Sequence, residues 1–272
     1  MRITIKFTVP VLVIVLTGIF QIGCAPGLTH SDPEDMAQFA TQRTMDEATY
    51  KLAYVEVGDP SKPKLIFIHG TPGSWHAFEH LLRDERLRAC CHMIAIDRPG
   101  FGRSAHTGIL ADYADQSSAI SGVLRNRDDE DSKAVVIGHS LGGTIATHVA
   151  LTYPDQVGAL MIISSALDPE LSTPRWYHRL ADLPVVKHLM PSDLHLANQE
   201  MLTLQGSLFD MQPDLSSINM PVTIIQGGED PLVDPDNPKY AEANFENADL
   251  NVHRFPTDGH FIIWEQPEFI VS

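Results

Sequence analysis

Positively charged residues are scarce in this chain. Its 272 residues include 19 lysines and arginines against 35 aspartates and glutamates, which gives a formal net charge of −16. A protein that binds nucleic acid needs a basic surface that displaces counterions from the phosphates. The charge balance therefore argues against nucleic acid as a partner. The sequence has no repeats or low-complexity tracts, and its 43% hydrophobic content is that of an ordinary globular domain.

The chain also lacks an apolar run long enough to cross a bilayer comfortably, because the N-terminal one covers only residues 7–20. Arg2 and Lys6 precede this run, which is the layout of a signal peptide. The next residues, Gln21-Ile22-Gly23-Cys24, resemble the signal of bacterial lipoproteins, in which the cysteine becomes the lipidated first residue. Glutamine stands here in place of the usual leucine.

We therefore expect residues 1–23 to be a signal peptide, Cys24 to carry a lipid anchor, and the polar residues 24–48 to tether a domain to the membrane surface. This predicts a protein of the bacterial cell envelope that faces the periplasm or the exterior. An uncleaved anchor or plain secretion is the alternative.

Cysteine is scarcer still, and apart from Cys24 the chain has only the adjacent pair Cys90 and Cys91. Neighbouring cysteines can bridge only with a distorted peptide. We interpret the pair as two small buried hydrophobic residues that lead into a strand. A disulfide between them is the alternative, since an exported protein would permit it.

A serine motif lies in the middle of the chain, where residues 134–143 read Ala-Val-Val-Ile-Gly-His-Ser-Leu-Gly-Gly. The apolar, β-branched first half predicts a buried strand, and helix-forming residues follow the motif. The pattern G-x-S-x-G between them puts Ser140 at a sharp turn, where Gly138 and Gly142 let the strand and the helix approach closely. The N–H of Leu141 then lies at a helix N-terminus, where partial positive charge favours an oxyanion.

Predicted strands and helices alternate along the rest of the chain. The strands are expected near residues 50–57, 64–69, 92–97, 160–164, 222–226 and 251–255, and the helices near residues 75–82, 110–124, 238–245 and 261–270. This alternation predicts an α/β fold with a mostly parallel central sheet and helices on both faces. Residues 167–220 break the pattern, with helices expected at 176–183 and 193–208.

From about residue 50 onward the chain resembles the α/β-hydrolases. The motifs that carry the resemblance occur in the family's order: His69-Gly70-Thr71-Pro72-Gly73, Asp97-Arg98-Pro99-Gly100-Phe101-Gly102, the serine motif, Gly228-Glu229-Asp230 and Asp258-Gly259-His260. The resemblance implies a hydrolase core at residues 49–166 and 221–272. It implies that residues 167–220 form a helical cap over the active site, and it calls for no cofactor or metal.

A serine hydroxyl needs a base to activate it and an acid to orient that base. The family's chain order of serine, acid and histidine implies Asp230 as the acid and His260 as the base. Asp230 also follows a predicted strand, and open α/β sheets place their sites at the carboxyl ends of strands. Asp168 and Asp234 remain alternative acids. His253 is the other candidate base, although it lies within a predicted strand and is expected to face solvent.

Two backbone N–H groups should form the oxyanion hole. Leu141 supplies one, and the loop after the strand that ends at His69 should supply the other. Pro72 has no N–H, so Thr71 is the expected donor. We expect His69 to be structural within this loop and residues 97–102 to be a structural turn near the site.

A rival zinc motif, H-x-x-E-H, spans His76, Glu79 and His80. The same helix needs Phe78 and Leu81 for packing and no further acidic ligand is evident, so we expect surface histidines rather than a metal site.

The chemistry implied by these residues is acyl transfer to Ser140 from a small acyl substrate. Relatives that open epoxides or cleave carbon–halogen bonds use an aspartate nucleophile. The serine at position 140 therefore disfavours both activities. We expect a carboxylic ester as substrate. Carbon–carbon, lactone or amide bonds are alternatives, and so is a non-catalytic lipoprotein that binds a ligand beneath its cap.

Overall fold

The computed structural model describes residues 40–46, 50–106, 111–124 and 133–272. The strands are β1 Thr41–Asp46, β2 Tyr50–Gly58, β3 Lys64–Ile68, β4 His92–Asp97, β5 Ala105–His106, β6 Ala134–His139, β7 Val157–Ile163, β8 Pro221–Gly227 and β9 Asp249–Phe255. They form one sheet in the order β1-β2-β4-β3-β6-β7-β8-β9, with β5 paired to β2. The strands from β4 to β9 along this order are parallel to one another. Strand β2 pairs antiparallel with both of its neighbours in the order, β1 and β4.

Helices follow most of the parallel strands. They are α1 Glu79–Leu82, α2 Glu85–Cys90, α3 Tyr113–Leu124, α4 Leu141–Thr152, α5 Trp176–Ala181, α6 Pro184–Lys187, α7 Ser192–Met211, α8 Asn237–Asn244, α9 Ile262–Glu265 and α10 Pro267–Val271. Short 3₁₀ helices cover Trp75–Phe78 and Gln212–Ser217.

The sheet is buried on both faces. In β3, Ile66 and Ile68 pack into one hydrophobic cluster together with α3 and α4, whereas Phe67 packs into a second cluster with Leu81. Successive residues of a strand point to opposite faces, so a continuous apolar run fits a strand that is covered on both sides. Each such side chain contributes about 1.5–3 kcal/mol through its burial. The predicted α/β fold class with a mostly parallel sheet is therefore confirmed.

The structure differs from the sequence prediction at the start of the domain. Strand β1, Thr41–Asp46, lies within the range 24–48 that was expected to be tether. It pairs antiparallel with β2 at the edge of the sheet, and Arg43 Nε donates to Glu56 Oε2 at 2.8 Å. The polar sequence of β1 gives no strand signal, because this edge strand is held mainly by backbone pairing with β2. The predicted signal peptide and Cys24 lie outside the described residues.

Two predicted helices are each divided in the structure. Residues 75–82 form a 3₁₀ turn followed by α1, and residues 261–270 form α9 and α10. The second division falls at Pro267, the first residue of α10. Proline is compatible with a helix start and not with a helix interior, which explains the break.

The interpretation of Cys90 and Cys91 as two buried hydrophobic residues is wrong. The structure joins them in a disulfide. Cys90 is exposed at the end of α2, while Cys91 is buried just before β4. The chain thus passes from the surface into the core between the two residues.

Residues 167–220 carry α5, α6 and α7, and we call them the cap segment. No helix in the described part of the chain is long and apolar enough to cross a membrane. The division of the chain into core and cap ranges stays a prediction, although side chains of both parts line one cavity, as described below.

Candidate active site

Ser140 lies at a strained turn between β6 and α4. Its backbone angles are φ 55° and ψ −131°, in the left-handed half of conformational space that non-glycine residues rarely adopt. The turn is tight because glycines flank it: a Cβ on Gly138 would collide with the backbone of Gly142, and one on Gly142 would collide with the carbonyl of Ile68. Ser140 N donates to Ile163 O at 2.9 Å, which fixes the turn against β7.

Asp230 and His260 form a hydrogen-bonded pair. His260 Nδ1 donates to Asp230 Oδ2 at 2.8 Å, and both residues are buried. The other carboxylate oxygen accepts the N–H groups of Leu232 at 2.8 Å and Val233 at 2.9 Å. Gln226 Nε2 donates to Oδ2 at 3.2 Å. These donors hold the carboxylate in one orientation, so the imidazole keeps its proton on Nδ1 and leaves Nε2 as the acceptor.

The alternative acids and base are engaged elsewhere. Asp168 Oδ1 accepts the N–H of Glu170 at 2.8 Å, and Asp234 Oδ1 accepts the N–H of Asp236 at 2.9 Å. His253 is exposed on β9, where its ring packs against Phe269.

His139, the variable residue inside the serine motif, supports the His260 loop. Its Nε2 donates to the carbonyl of His260 at 3.0 Å, and its ring lies against that of Trp264. Burial, followed by repulsion from His260, lowers the pKa of His139 to about 3. The ring is therefore neutral at physiological pH and acts as a fixed donor.

The loop after β3 approaches Ser140 closely. A Cβ on Gly70 would lie 2.8 Å from Ser140 Cβ and 3.3 Å from its Oγ. The next residue, Thr71, also lines the cavity, and a cis peptide bond joins it to Pro72. Thr71 Oγ1 is buried and has no hydrogen-bond partner among the described residues. On the opposite side, Leu141 is the first residue of α4, so its N–H has no acceptor within the helix.

His69 and Arg98 stabilise this loop through hydrogen bonds to its backbone. His69 Nε2 accepts the N–H of Arg98 at 3.0 Å, so its proton is on Nδ1, which donates to Gly70 O at 2.7 Å. Arg98 donates from Nε to His69 O and from Nη2 to Gly70 O, both at 2.9 Å. Burial and the charge of Arg98 lower the pKa of His69 well below its ordinary value.

The guanidinium of Arg98 also reaches the cap segment. Arg98 Nη1 donates to Glu200 Oε1 at 2.5 Å, and neither side chain is exposed. Gln116 Nε2 donates to the same carboxylate at 2.6 Å. The structure therefore links α7 to the loop next to Ser140 through one buried cation.

Ser140 and its neighbours in the site line a cavity of about 390 Å³. Ser140, His260, Thr71 and Leu141 line it from the core, and the cap segment contributes mostly apolar side chains such as Met190 and Met201. A cavity of this size, apolar with a few convergent polar groups, suits a small organic molecule.

The zinc motif does not assemble. His76 Nδ1 lies 3.1 Å from Ser74 Oγ, whereas His80 Nε2 donates to Ile263 O at 3.0 Å and Glu79 pairs with Arg83. Among the described residues, no three or more His, Cys, Asp or Glu side chains are arranged to hold a metal ion.

The structure brings the predicted site residues Ser140, Asp230, His260, Thr71 and Leu141 to one cavity, and their catalytic roles stay predictions. Residues 97–102 do more than form a turn, because Arg98 bonds directly to the loop next to Ser140. Sequence reasoning missed Glu200. The signal was present: Glu200 interrupts an apolar row of α7 between Leu196 and Leu204, where a buried acid needs a cationic partner.

Comparison with known proteins identifies relatives of this chain. A sequence search of curated proteins finds a protein called "Uncharacterized hydrolase YugF" from Bacillus subtilis, 26% identical over 255 residues that cover 80% of this chain and 90% of the relative. The mouse protein "Epoxide hydrolase 4" is 31% identical over 120 residues, which cover 41% of this chain and 30% of the relative.

Among solved structures, the thioesterase domain from the curacin biosynthetic pathway superposes with a TM-score of 0.62 at 15% identity, covering 86% of this chain and 98% of the domain. Identity at that level shows a shared fold alone. The sequence model of the alpha/beta hydrolase family matches residues 65–272. Because this match covers more than half of the sequence and the fold agrees with it, the chain belongs to the alpha/beta hydrolase family.

Proposed function

We propose that this protein is a serine hydrolase that cleaves carboxylic esters through an acyl-enzyme. The observation that carries the proposal is that Ser140, at its strained turn, and the His260–Asp230 pair line the same cavity. A nucleophile, a base and an acid in this order are what acyl transfer requires.

In the proposed mechanism, Ser140 Oγ attacks the carbonyl carbon of the ester while His260 Nε2 takes the hydroxyl proton. The N–H groups of Thr71 and Leu141 stabilise the resulting oxyanion. His260 then gives its proton to the leaving alcohol, and the acyl group stays on Ser140. Water, activated by His260, attacks the acyl-enzyme and releases the acid. Asp230 stabilises the imidazolium that forms in each half of the cycle.

Ser140 argues against the activity named in one of the relatives. The relative called an epoxide hydrolase shares sequence with this chain over 120 residues. Epoxide opening in this family relies on an aspartate nucleophile, and the corresponding position of this chain is serine. Ester, lactone, amide and carbon–carbon bonds share acyl chemistry with a serine. We favour an ester over an amide or a carbon–carbon bond because an alcohol leaves more readily than an amine or a carbanion, and a lactone, as a cyclic ester, stays the alternative.

Steady-state hydrolysis of p-nitrophenyl esters with acyl chains of increasing length tests the proposal. Wild-type protein should turn over at least the shorter esters, and Ser140→Ala should lose turnover while it keeps the fold. Ser118→Ala, on α3 away from the cavity, is the matched control and should retain the wild-type rate. A folded wild-type protein that hydrolyses no ester would contradict ester specificity. Retained activity in Ser140→Ala would contradict the serine mechanism.

We also propose that Cys24 is lipidated and that the protein is held at the bacterial cell envelope. The support is the sequence of residues 1–24 alone. Metabolic labelling with a radioactive fatty acid tests this: the label should enter wild-type protein in a bacterial host and be absent from Cys24→Ala. Equal labelling of both proteins would contradict the anchor.

A further inference from the structure

The cap segment exposes an unusual amount of apolar surface. The described part of the chain has six exposed large hydrophobic side chains, and five of them lie within residues 171–189. We call Leu171, Trp176, Leu183, Val185 and Leu189 the exposed apolar segment. Trp176 is 67% exposed and Val185 is 75% exposed, although residues of this kind are normally scattered singly over a surface. Such a concentration indicates an interaction surface.

The exposed apolar segment adjoins the cavity. Leu171 itself lines the cavity, and so do Tyr177 and Met190, the neighbours of Trp176 and Leu189 in the chain. Whatever covers the segment therefore lies next to the cavity that Ser140 lines.

The charge of this region differs in sign from that of the whole protein. Residues 171–189, the span of the segment, contain the basic residues Arg175, Arg179 and Lys187 and a single acid, Asp182, within a chain of net charge −16. The exposed acids Glu170 and Asp193 lie outside this span. Both arginines are exposed. Apolar side chains with a cationic border are typical of elements that lie in the interface of an anionic bilayer. In a two-fold symmetric dimer built on this segment, the basic residues would face their own copies, and like charges would oppose each other.

The position of the proposed lipid anchor favours a bilayer over a soluble partner. Fifteen residues lie between Cys24 and Ala40, where the described domain begins. Even fully extended, this length of chain spans at most about 60 Å, so an anchored domain stays within reach of the membrane surface.

We propose that the exposed apolar segment inserts into the surface of an anionic phospholipid bilayer and that esters dissolved in the lipid enter the cavity beside it. The inference rests on the proposed anchoring at Cys24 and concerns the delivery of the proposed substrate. Insertion itself does not depend on the chemistry of Ser140.

Fluorescence quenching by brominated lipids tests the insertion. The full chain carrying Ser140→Ala, which cannot consume the lipid, is reconstituted into vesicles of phosphatidylcholine and phosphatidylglycerol with brominated acyl chains. Trp176 is the exposed tryptophan, whereas Trp75 is buried and Trp264 is partly buried at the cavity. We expect strong quenching, most of which is lost in Trp176→Phe.

Two further variants separate insertion from mere anchoring. Val185→Glu with Leu189→Glu should abolish the quenching of Trp176 while the protein stays on the vesicles through Cys24. Phe209→Glu changes an exposed large hydrophobic residue outside the segment and should leave the quenching unchanged. Equal quenching in the double variant, or none in anchored protein, would overturn the proposal.

Other occupants of the surface give different results. If a second copy covered it, sedimentation without lipid would show a dimer that the double variant dissociates. If residues 7–20 of the same chain covered it, the emission of Trp176 would already be blue-shifted without vesicles. Either result would overturn the proposal. Hydrolysis of a water-soluble ester by wild-type protein and by the double variant, without vesicles, reports separately on the proposed function and should be equal.

Discussion

Arg98 and Glu200 meet at 2.5 Å with neither side chain exposed to solvent. Arg98 belongs to the loop after β4, and Glu200 belongs to α7 of the cap segment. The same guanidinium donates to the carbonyl of Gly70, beside Ser140. One buried ion pair therefore connects helix α7 to the loop that carries Thr71, the proposed oxyanion donor.

Replacing Glu200 should therefore lower the free energy of unfolding substantially. Glu200→Ala leaves a buried, unpaired guanidinium, and the loss of one partner of a buried pair destabilises a protein by about 3–5 kcal/mol. Urea unfolding measures this. Glu242→Ala removes half of an exposed pair with Arg254 and should cost no more than about 1 kcal/mol. Similar free energies of unfolding for the two variants would show that the buried pair has no special role.

Asp230→Asn should lower kcat by about 10⁴-fold, because the amide can turn its NH₂ group toward His260 and favour the wrong tautomer. Asp168→Asn is the matched control, since its carboxylate accepts from Glu170 rather than from His260. Ester turnover by both variants checks the assignment. A larger loss in Asp168→Asn would make that residue the acid.

The hydroxyl of Thr71 is expected to assist its own N–H in holding the oxyanion. Thr71 lines the cavity, and its buried Oγ1 lacks a partner among the described residues, so no other acceptor competes for the hydroxyl proton. Thr71→Val keeps the shape and removes the donor, and we expect kcat to fall by about 5- to 150-fold, equivalent to about 1–3 kcal/mol. Thr71→Ser should keep most of the rate. If the valine variant were as active as wild type, the hydroxyl would not touch the oxyanion.

Acid should destabilise the protein through its buried neutral histidines. The pKa of His139 is about 3 in the folded state, below the ordinary value of 6.5, so below pH 6.5 the unfolded chain binds a proton that the folded chain does not. The free energy of unfolding should therefore decrease by about 1.4 kcal/mol per pH unit for this group as the pH falls from 6.5 toward 3. His69, whose pKa is also lowered, adds a loss in the same direction.

His139→Gln tests this prediction, because glutamine can still donate to His260 O but does not titrate. The difference in unfolding free energy between wild type and variant should be constant above pH 7 and change by about 1.4 kcal/mol per pH unit below pH 6. A difference that does not vary with pH would show that His139 is not the group responsible.

Much of this molecule could be predicted from its sequence, because local signals and the fold agree. The apolar run before Ser140 predicts the strand β6, and the residues after the motif predict the helix α4. Gly138 and Gly142 allow the tight turn between them. Asp230 and His260 follow predicted strands, so the parallel sheet brings both to one edge. The strand β9 that precedes His260 pairs with β8, which precedes Asp230.

The features that sequence reasoning missed depend on contacts between distant parts of the chain. Strand β1 has no hydrophobic face of its own and is held by its pairing with β2. Arg98 and Glu200 are 102 residues apart, and only the docking of α7 makes them partners. His139 was visible in the motif, but its bond to the backbone of His260 requires the folded loop.

The most direct test of the account is to trap the acyl group on the protein. An ester whose acyl-enzyme hydrolyses slowly, or a fluorophosphonate that mimics the acylation step, is mixed with wild-type protein and the product is mapped by peptide mass spectrometry. One adduct per chain is expected, on Ser140. It should be absent from Ser140→Ala, and its formation should be strongly slowed in His260→Ala. An active protein that carries no adduct on Ser140, or that carries one on Asp230 instead, would contradict this expectation.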